Sequence, residues 1–346
     1  MADYADVLGR ALAVKGDPGV DLYHLGNNGL HAGIYWKALE KPGVVVLHDA
    51  VLHHFLLGQF TRERYIDEFV YNYGEWRRDL GEELWVRRGS SGVDPRYFRF
   101  PMLKRVVETA RAVITHNPGA AAMVRAHAAP AAPPIHIIPH FFEPMPPPDP
   151  FETAHFREHI GVSPGATLFG VFGYLRETKR VIPCIGAFVR LHVQRPDTAL
   201  LLAGDAVSPD LDRLLESEAA HPAIHRMRHL NERDLQTALA AIDCCLNLRY
   251  PAAGETSGIA MRAMGIGKPV IVSSGPEISA IPGGACLPVR HGVAEAAELF
   301  DHMVMVTEFP RIAESIGGYA RQHILTRHSL EAAYREYWQV LCAARP

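Results

Sequence analysis

The chain is short of several features that would have decided its class at once. Its five cysteines (Cys184, Cys244, Cys245, Cys286 and Cys342) include no CxxC pair. They read as reduced core thiols, with the adjacent Cys244 and Cys245 pointing to opposite faces of a strand. Neither charge sign is in surplus: 35 Lys+Arg against 38 Asp+Glu leave a formal net charge of −3. That balance excludes a non-specific nucleic-acid binder but leaves room for a local basic groove around a phosphate-bearing small molecule. No apolar run reaches the ~18 residues of a membrane span. The most apolar stretch, 44–58, is interrupted by His48, Asp49, His53 and His54. The first residues carry acid rather than base and no apolar run follows, so a secretory signal is not expected. The expected location is the cytoplasm, with at most peripheral membrane contact. No GxGxxG follows a strand, which argues against a nicotinamide oxidoreductase, and no GxSxG nucleophile elbow occurs. Residues 265–268 lack the Ser or Thr that would complete a P-loop.

Short apolar, β-branched runs alternate with helical patterns along the whole chain. The runs lie at 21–25, 44–48, 112–116 and 135–138, then at 167–172, 199–203, 224–227, 243–247 and 269–272. Continuous apolar runs of this length are parallel strands covered on both faces, and the helical patterns between them, such as 180–193 and 232–241, make βαβ units. Between the halves, 139–150 carries Pro139, Pro144, Pro146, Pro147, Pro148 and Pro150. Neither a helix nor a central strand accommodates that run, so it reads as a stiff connector. The expected fold is α/β: two Rossmann-like, doubly wound parallel-sheet domains facing a cleft. The expected boundaries are 1–143, 144–328, and a C-terminal helix, 329–346, crossing back to the first domain. Ligands in such sheets sit beyond the C-terminal ends of the strands.

Three segments stand at such ends. His48-Asp49 follows the run 44–48 at once; the pair suits a substrate hydroxyl, or else it caps the helix expected at 50–57. A metal at His48, His53 and His54 is not expected, because helix ligands prefer an i, i+4 pair. The loop after 167–172 carries Arg176, Lys179 and Arg180 behind Gly173. Cations at a helix start oppose the helix dipole, and a phosphate or diphosphate would explain them. The loop after 243–247 runs through Gly254-Glu255-Thr256-Ser257-Gly258 into a helix. Thr256 or Ser257 can cap that helix, its free N–H groups suit an anion, and Glu255 is placed for sugar-type hydroxyls. Asp210-Leu211-Asp212 follows Ser208-Pro209 and reads as helix-start acids rather than a metal clamp.

Taken together, 173–179, 201–204, and 254–258 through 267–273 resemble the retaining family 4 glycosyltransferases of the GT-B fold. The segments 23–28 and 46–49 resemble the first domain of the same enzymes. The resemblance implies a metal-independent transferase that uses a nucleoside-diphosphate sugar as co-substrate, needs no other cofactor, and retains configuration. The acceptor would be a glycan, a lipid-linked sugar or a small molecule. In the family, the lysine at the Lys179 position binds the diphosphate. An arginine usually follows the glycine directly; here Tyr174 stands there, with Arg176 or Arg180 as substitutes. The histidine matching His48 touches the donor sugar. The first of two glutamates falls on Gly254 or, with a one-residue slip, on Glu255, and the ribose-binding second falls on Arg262. The resemblance thus names Gly173, Arg176, Lys179, Arg180, Glu255, Thr256, Ser257, Gly258 and Arg262 for the donor, and Asn27, Asn28 and Asp49 for the acceptor side.

The family's usual opening strand and Gly-rich loop have no counterpart, and 12–21 is too short for the next strand and helix. The first sheet is therefore expected to hold about four strands, with an apolar face that the helix 330–341 or a second subunit would cover, and the chain is expected to self-associate. A decayed, catalytically silent nucleotide- or glycan-binding protein of the same fold is the alternative reading.

Overall fold

The computed structural model describes residues 2–128, 132–144 and 149–345. Residues 145–148, the centre of the proline-rich connector, lie outside the described residues.

The first sheet holds β1 (Leu22–Leu25), β2 (Val44–Leu47), β3 (Ala112–Thr115) and β4 (Ile135–Ile137), all parallel in the order β1-β2-β3-β4. The second holds β5 (Thr167–Phe172), β6 (Thr198–Ala203), β7 (Ile224–Met227), β8 (Cys244–Asn247), β9 (Val270–Ser273) and β10 (Leu287–Val289). Its order is β10-β9-β8-β5-β6-β7, again parallel throughout. All nine expected runs form strands, within one residue at each end; the short edge strand β10 carries too few residues to stand out. A helical block, 53–109, fills the connection from β2 to β3.

Both sheets are covered on both faces, which is why their strands are continuously apolar. In the second sheet, Cys244 packs into the layer with Phe188, Leu191 and Leu299, while Cys245 packs into the opposite layer with Met264 and Ile324. One face of the first sheet is covered by residues of the 53–109 block, including Phe55, Tyr65 and Phe69. The other is covered by the N-terminal helix (Ala2–Ala13) and the C-terminal helix (Leu330–Ala343), through Leu8, Leu12, Tyr337 and Leu341. A fully buried leucine such as Leu8 contributes about 2 kcal/mol of transfer free energy. Of the two covers expected for this face, the chain's own helices supply it.

Two chain crossings join the sheets. Phe141 sits in the core of the first sheet and Phe142 in that of the second. The Phe142 N–H donates to the His328 carbonyl at 2.7 Å, where the chain returns toward the C-terminal helix. The connector is thus clamped at its start rather than being a free spacer.

Candidate functional site

Strand order locates the site. In the second sheet the chain moves outward from β5 to β6 and β7, then from β8 to β9 and β10 on the other side. The loops after β5 and β8 therefore diverge and leave a crevice at the C-terminal ends of these two strands, the switch point at which such sheets bind ligands. A cleft of ≈ 1090 Å³ opens there, facing the loops after β1, β2 and β3.

The second sheet supplies a cationic wall. Arg176 and Lys179 come from the loop after β5 and Arg249 stands two residues past the end of β8; all three line the cleft. Burial, then the neighbouring Arg249 and Arg176 charges, push the Lys179 ammonium from 10.5 down to about 7. Its Nζ donates to the Phe172 carbonyl. Gly173 makes this close approach possible: φ is +78°, and a Cβ there would stand 3.0 Å from Lys179 Nζ. Gly204 in turn passes so near that its Cβ would be 2.3 Å from the Gly173 carbonyl oxygen. Arg249 Nη1 donates to Glu255 Oε1 at 2.9 Å and Nη2 to Ser257 Oγ at 3.4 Å, while its buried Nε has no partner. Glu255 pairs with Arg249 within a wall of three basic side chains, an excess of positive charge that favours a bound anion.

The first sheet supplies a wall of imidazoles and one acid. Asp49 Oδ2 accepts the Asn27 N–H at 2.7 Å. Burial and the Glu255 charge raise its carboxyl to about 6, against the opposing pull of the Asn27 N–H, Arg249 and Arg176. His48 lies between His24 and His116: His24 Nδ1 is 3.0 Å from His48 Nε2, and His48 Nδ1 is 3.1 Å from His116 Nε2. His116 Nδ1 ends the row 3.0 Å from the Ile138 carbonyl. Tyr4 covers the row, with ring centroids 5.3 Å from His48 and 5.6 Å from His116, and stacks on Phe141 at 4.1 Å. Burial pushes His24 and His116 down to about 4 and His48 well below the usual imidazole range.

The two walls touch where the loop after β8 meets the first sheet. The Ala50 N–H donates to the Ala253 carbonyl at 2.7 Å. Asn117, the cap of the following helix, donates through Nδ2 to the Gly254 carbonyl at 2.9 Å and lies 3.0 Å from Thr256 Oγ1.

Of the expected site residues, Asn27, Asn28, His48, Asp49, Arg176, Lys179, Glu255, Thr256, Gly258 and Arg262 all line the cleft. For several residues the geometry departs from the expectation or narrows it. Arg180 is turned out of the cleft: its backbone is left-handed (φ 55°), and its guanidinium pairs with the buried Glu295. It pins the helix Glu295–Glu308. Gly173 acts from behind Lys179 rather than as part of the cleft lining. His48 has both ring nitrogens engaged by histidines, so it has no N–H to offer a substrate hydroxyl. Glu255 is committed to its own loop, with Oε1 on Arg249 and Oε2 on the Ala253 N–H at 2.7 Å. Ser257, not Thr256, caps the helix Gly258–Gly265. His53 and His54 do not converge with His48: His53 bonds the Phe100 carbonyl and Tyr65, and His54 bonds Asn27 and the Ser91 carbonyl. Among the described residues, no group of three or more His, Cys, Asp or Glu is arranged to hold a metal ion. Ser208 and Pro209 start a helix as expected, and Asp212 pairs with Arg226 and Arg228.

Arg249, which opens the loop after 243–247, was given no role, and His116 and Asn117 were missed, although each directly follows a strand end or lies one residue beyond it. The positional rule that singled out His48 and Asp49 would have found them.

No family model and no curated protein matches the chain in sequence. Solved structures match it over nearly its whole length. WaaG, a glycosyltransferase involved in lipopolysaccharide biosynthesis, superposes with a TM-score of 0.64 at 14% identity, covering 98% of this chain and 95% of that one. HepE of Anabaena, in complex with UDP-glucose, gives 0.65 at 15% identity over 98% and 82%. Sucrose-phosphate synthase from Thermosynechococcus elongatus gives 0.63 at 17% identity over 97% and 76%. The fold is GT-B. At these identities the likeness establishes the architecture, and the chemistry rests on the residues of the cleft. Among the described residues, no helix is long and apolar enough to cross a membrane.

Proposed function

We propose that this GT-B chain is a glycosyltransferase that takes a nucleoside-diphosphate sugar as donor and passes the sugar to an acceptor hydroxyl with retention of configuration. The observation that carries the reading is the convergence of Lys179, Arg176 and Arg249 at the β5/β8 switch point, with a buried Arg249 Nε left unpartnered. HepE, of the same fold, is described with UDP-glucose bound. The diphosphate would lie between the Lys179 loop and the N-terminus of the helix Gly258–Gly265, whose first N–H groups add partial positive charge. Arg249 then takes the place of the arginine that the family sets after the glycine.

Catalysis in this arrangement is charge placement. Lys179, Arg176 and Arg249 stabilise the negative charge that grows on the departing diphosphate, in a site already partly shielded from water. Asp49 on the opposite wall faces the sugar as positive charge develops there. The acceptor hydroxyl enters on the face that the diphosphate leaves, between the walls held together by Asn117, and its proton passes to a phosphate oxygen. Lysine and arginine supply the charge, so the reading requires no metal ion. The acceptor falls on the Asn27-Asn28 side, where a glycan, a lipid-linked sugar or a small alcohol would meet the loop after β1.

A binding screen of UDP, GDP, ADP and their sugars, followed by turnover with any that bind, tests the reading. Absence of binding by all of them overturns it. One observation favours a silent binding protein instead: Arg262, at the position the family uses for ribose, is paired with Glu232 at 2.6 Å. Binding without any transfer or hydrolysis would establish that alternative.

A further inference from the structure

We infer that the row His24–His48–His116 is a one-directional lock, anchored on the Ile138 carbonyl, that holds His48 uncharged and in a single orientation at the floor of the cleft, with His116 as its positioning residue. The role given to His48 rests on the donor reading above; the lock itself does not.

The direction of the row follows from its last partner. A carbonyl oxygen can only accept, so His116 Nδ1 carries a proton and donates to Ile138. In an uncharged ring the other nitrogen is then a lone pair, so His116 Nε2 accepts from His48 Nδ1. The same rule leaves His48 Nε2 as a lone pair, which accepts from His24 Nδ1. All three rings therefore hold their proton on Nδ1, the less common form of free imidazole. Their surroundings support the uncharged state: His48 and His116 are 8% and 5% exposed, and Tyr4 closes over both rings.

The row is not a route for protons. Conduction needs an exit, and the Ile138 carbonyl cannot pass a proton onward. What remains is orientation. With both nitrogens engaged, His48 turns only ring carbon toward the cleft, opposite the wall of Lys179, Arg176 and Arg249. A sugar bound there packs against that carbon edge; a ring free to turn would present other edges as well, and the affinity that the sugar adds would fall with the fraction of the ring left in the packed orientation. His116 touches no reacting atom in this scheme and acts through His48.

Two measurements on the full chain decide it. In ¹⁵N-histidine spectra at pH 7, with resonances assigned from single His24, His48 and His116 variants, all three rings should be neutral with the proton on Nδ1. A charged His48, or one with its proton on Nε2, overturns the lock. The second compares UDP-glucose with UDP as probes. His116→Phe, which removes acceptor and donor alike, should lose about tenfold of the affinity that the glucose adds, with UDP unchanged. In His116→Gln the amide oxygen can accept from His48 and the amide N–H can donate to Ile138, so the glucose increment should stay within about twofold of the parent. An equal increment in all three chains would show that the row serves packing alone. Should the parent chain bind neither probe, UDP-glucose is ruled out as donor and the comparison is made with whichever nucleotide and nucleotide sugar the screen returns, while the spectra still decide the lock.

Discussion

The Lys179 ammonium gives the sharpest test, because its environment predicts a proton count. Burial and two neighbouring guanidiniums bring it from 10.5 to about 7. A bound diphosphate replaces that repulsion with two phosphate charges and restores the charged form. At pH 8 only about a tenth of the free protein carries the proton, so binding should draw in about 0.9 of a proton; at pH 6 it should draw in about 0.1 from this group. Affinity should accordingly weaken about tenfold between pH 6 and pH 8, equivalent to ~1.4 kcal/mol. UDP-glucose is the suitable ligand, since neither of its phosphates has the second ionisation near pH 6 that a terminal phosphate has. Titration calorimetry at pH 8 in buffers of different ionisation enthalpy reads the count directly. Lys179→Arg, which stays charged, should bind without uptake. Asp49, also in the cleft, is raised to about 6, and Asp49→Asn should leave the pH 8 uptake in place. Lys179→Ala should lower turnover by on the order of 10²-fold in a folded protein. The linkage has a definite sign without ligand. The unfolded lysine keeps its proton up to about 10.5 and the folded one releases it near 7, so the stability contribution of this group rises with pH across that window. No uptake at pH 8 in the parent chain, or equal uptake in Lys179→Arg, would refute the reasoning.

Glu255→Gln should weaken UDP and UDP-glucose by similar factors, because the carboxylate holds Arg249 and the Ala253 N–H; a loss confined to UDP-glucose, read by the same calorimetry, would restore a direct sugar contact. Arg180→Ala should cost about 3 kcal/mol in a denaturant titration, since it removes the guanidinium from buried Glu295 and leaves it with the His291 ring 3.6 Å away, while UDP affinity stays unchanged. Asn117→Ala should cost about 1–2 kcal/mol and open the cleft, seen as a larger radius of gyration by X-ray scattering without ligand.

The sequence by itself determined the architecture, because burial on both faces writes parallel strands as continuous apolar runs. Nine runs became nine strands, and the break at 139–150 fell between the two sheets. It also determined which loops carry charge, since a cation or an acid at a strand end is visible without coordinates; Arg176, Lys179, His48 and Asp49 were legible in this way. Tertiary structure alone decided which of those side chains share a space. Arg180 lies one residue beyond Lys179, yet a left-handed backbone and the distant Glu295 turn it out of the cleft. Glu255 looked free for a sugar until the end of β8 brought Arg249 against it. His24, His48 and His116 are 24 and 68 residues apart. His48 and His116 directly follow the paired ends of β2 and β3, and His24 lies on β1 opposite Val46, two residues before His48, which brings the three rings into one row; the single carbonyl at its end fixes where every proton sits. Local pattern records burial and charge, whereas the partner of a side chain is set by strand order and crossing loops, which no short stretch of sequence contains.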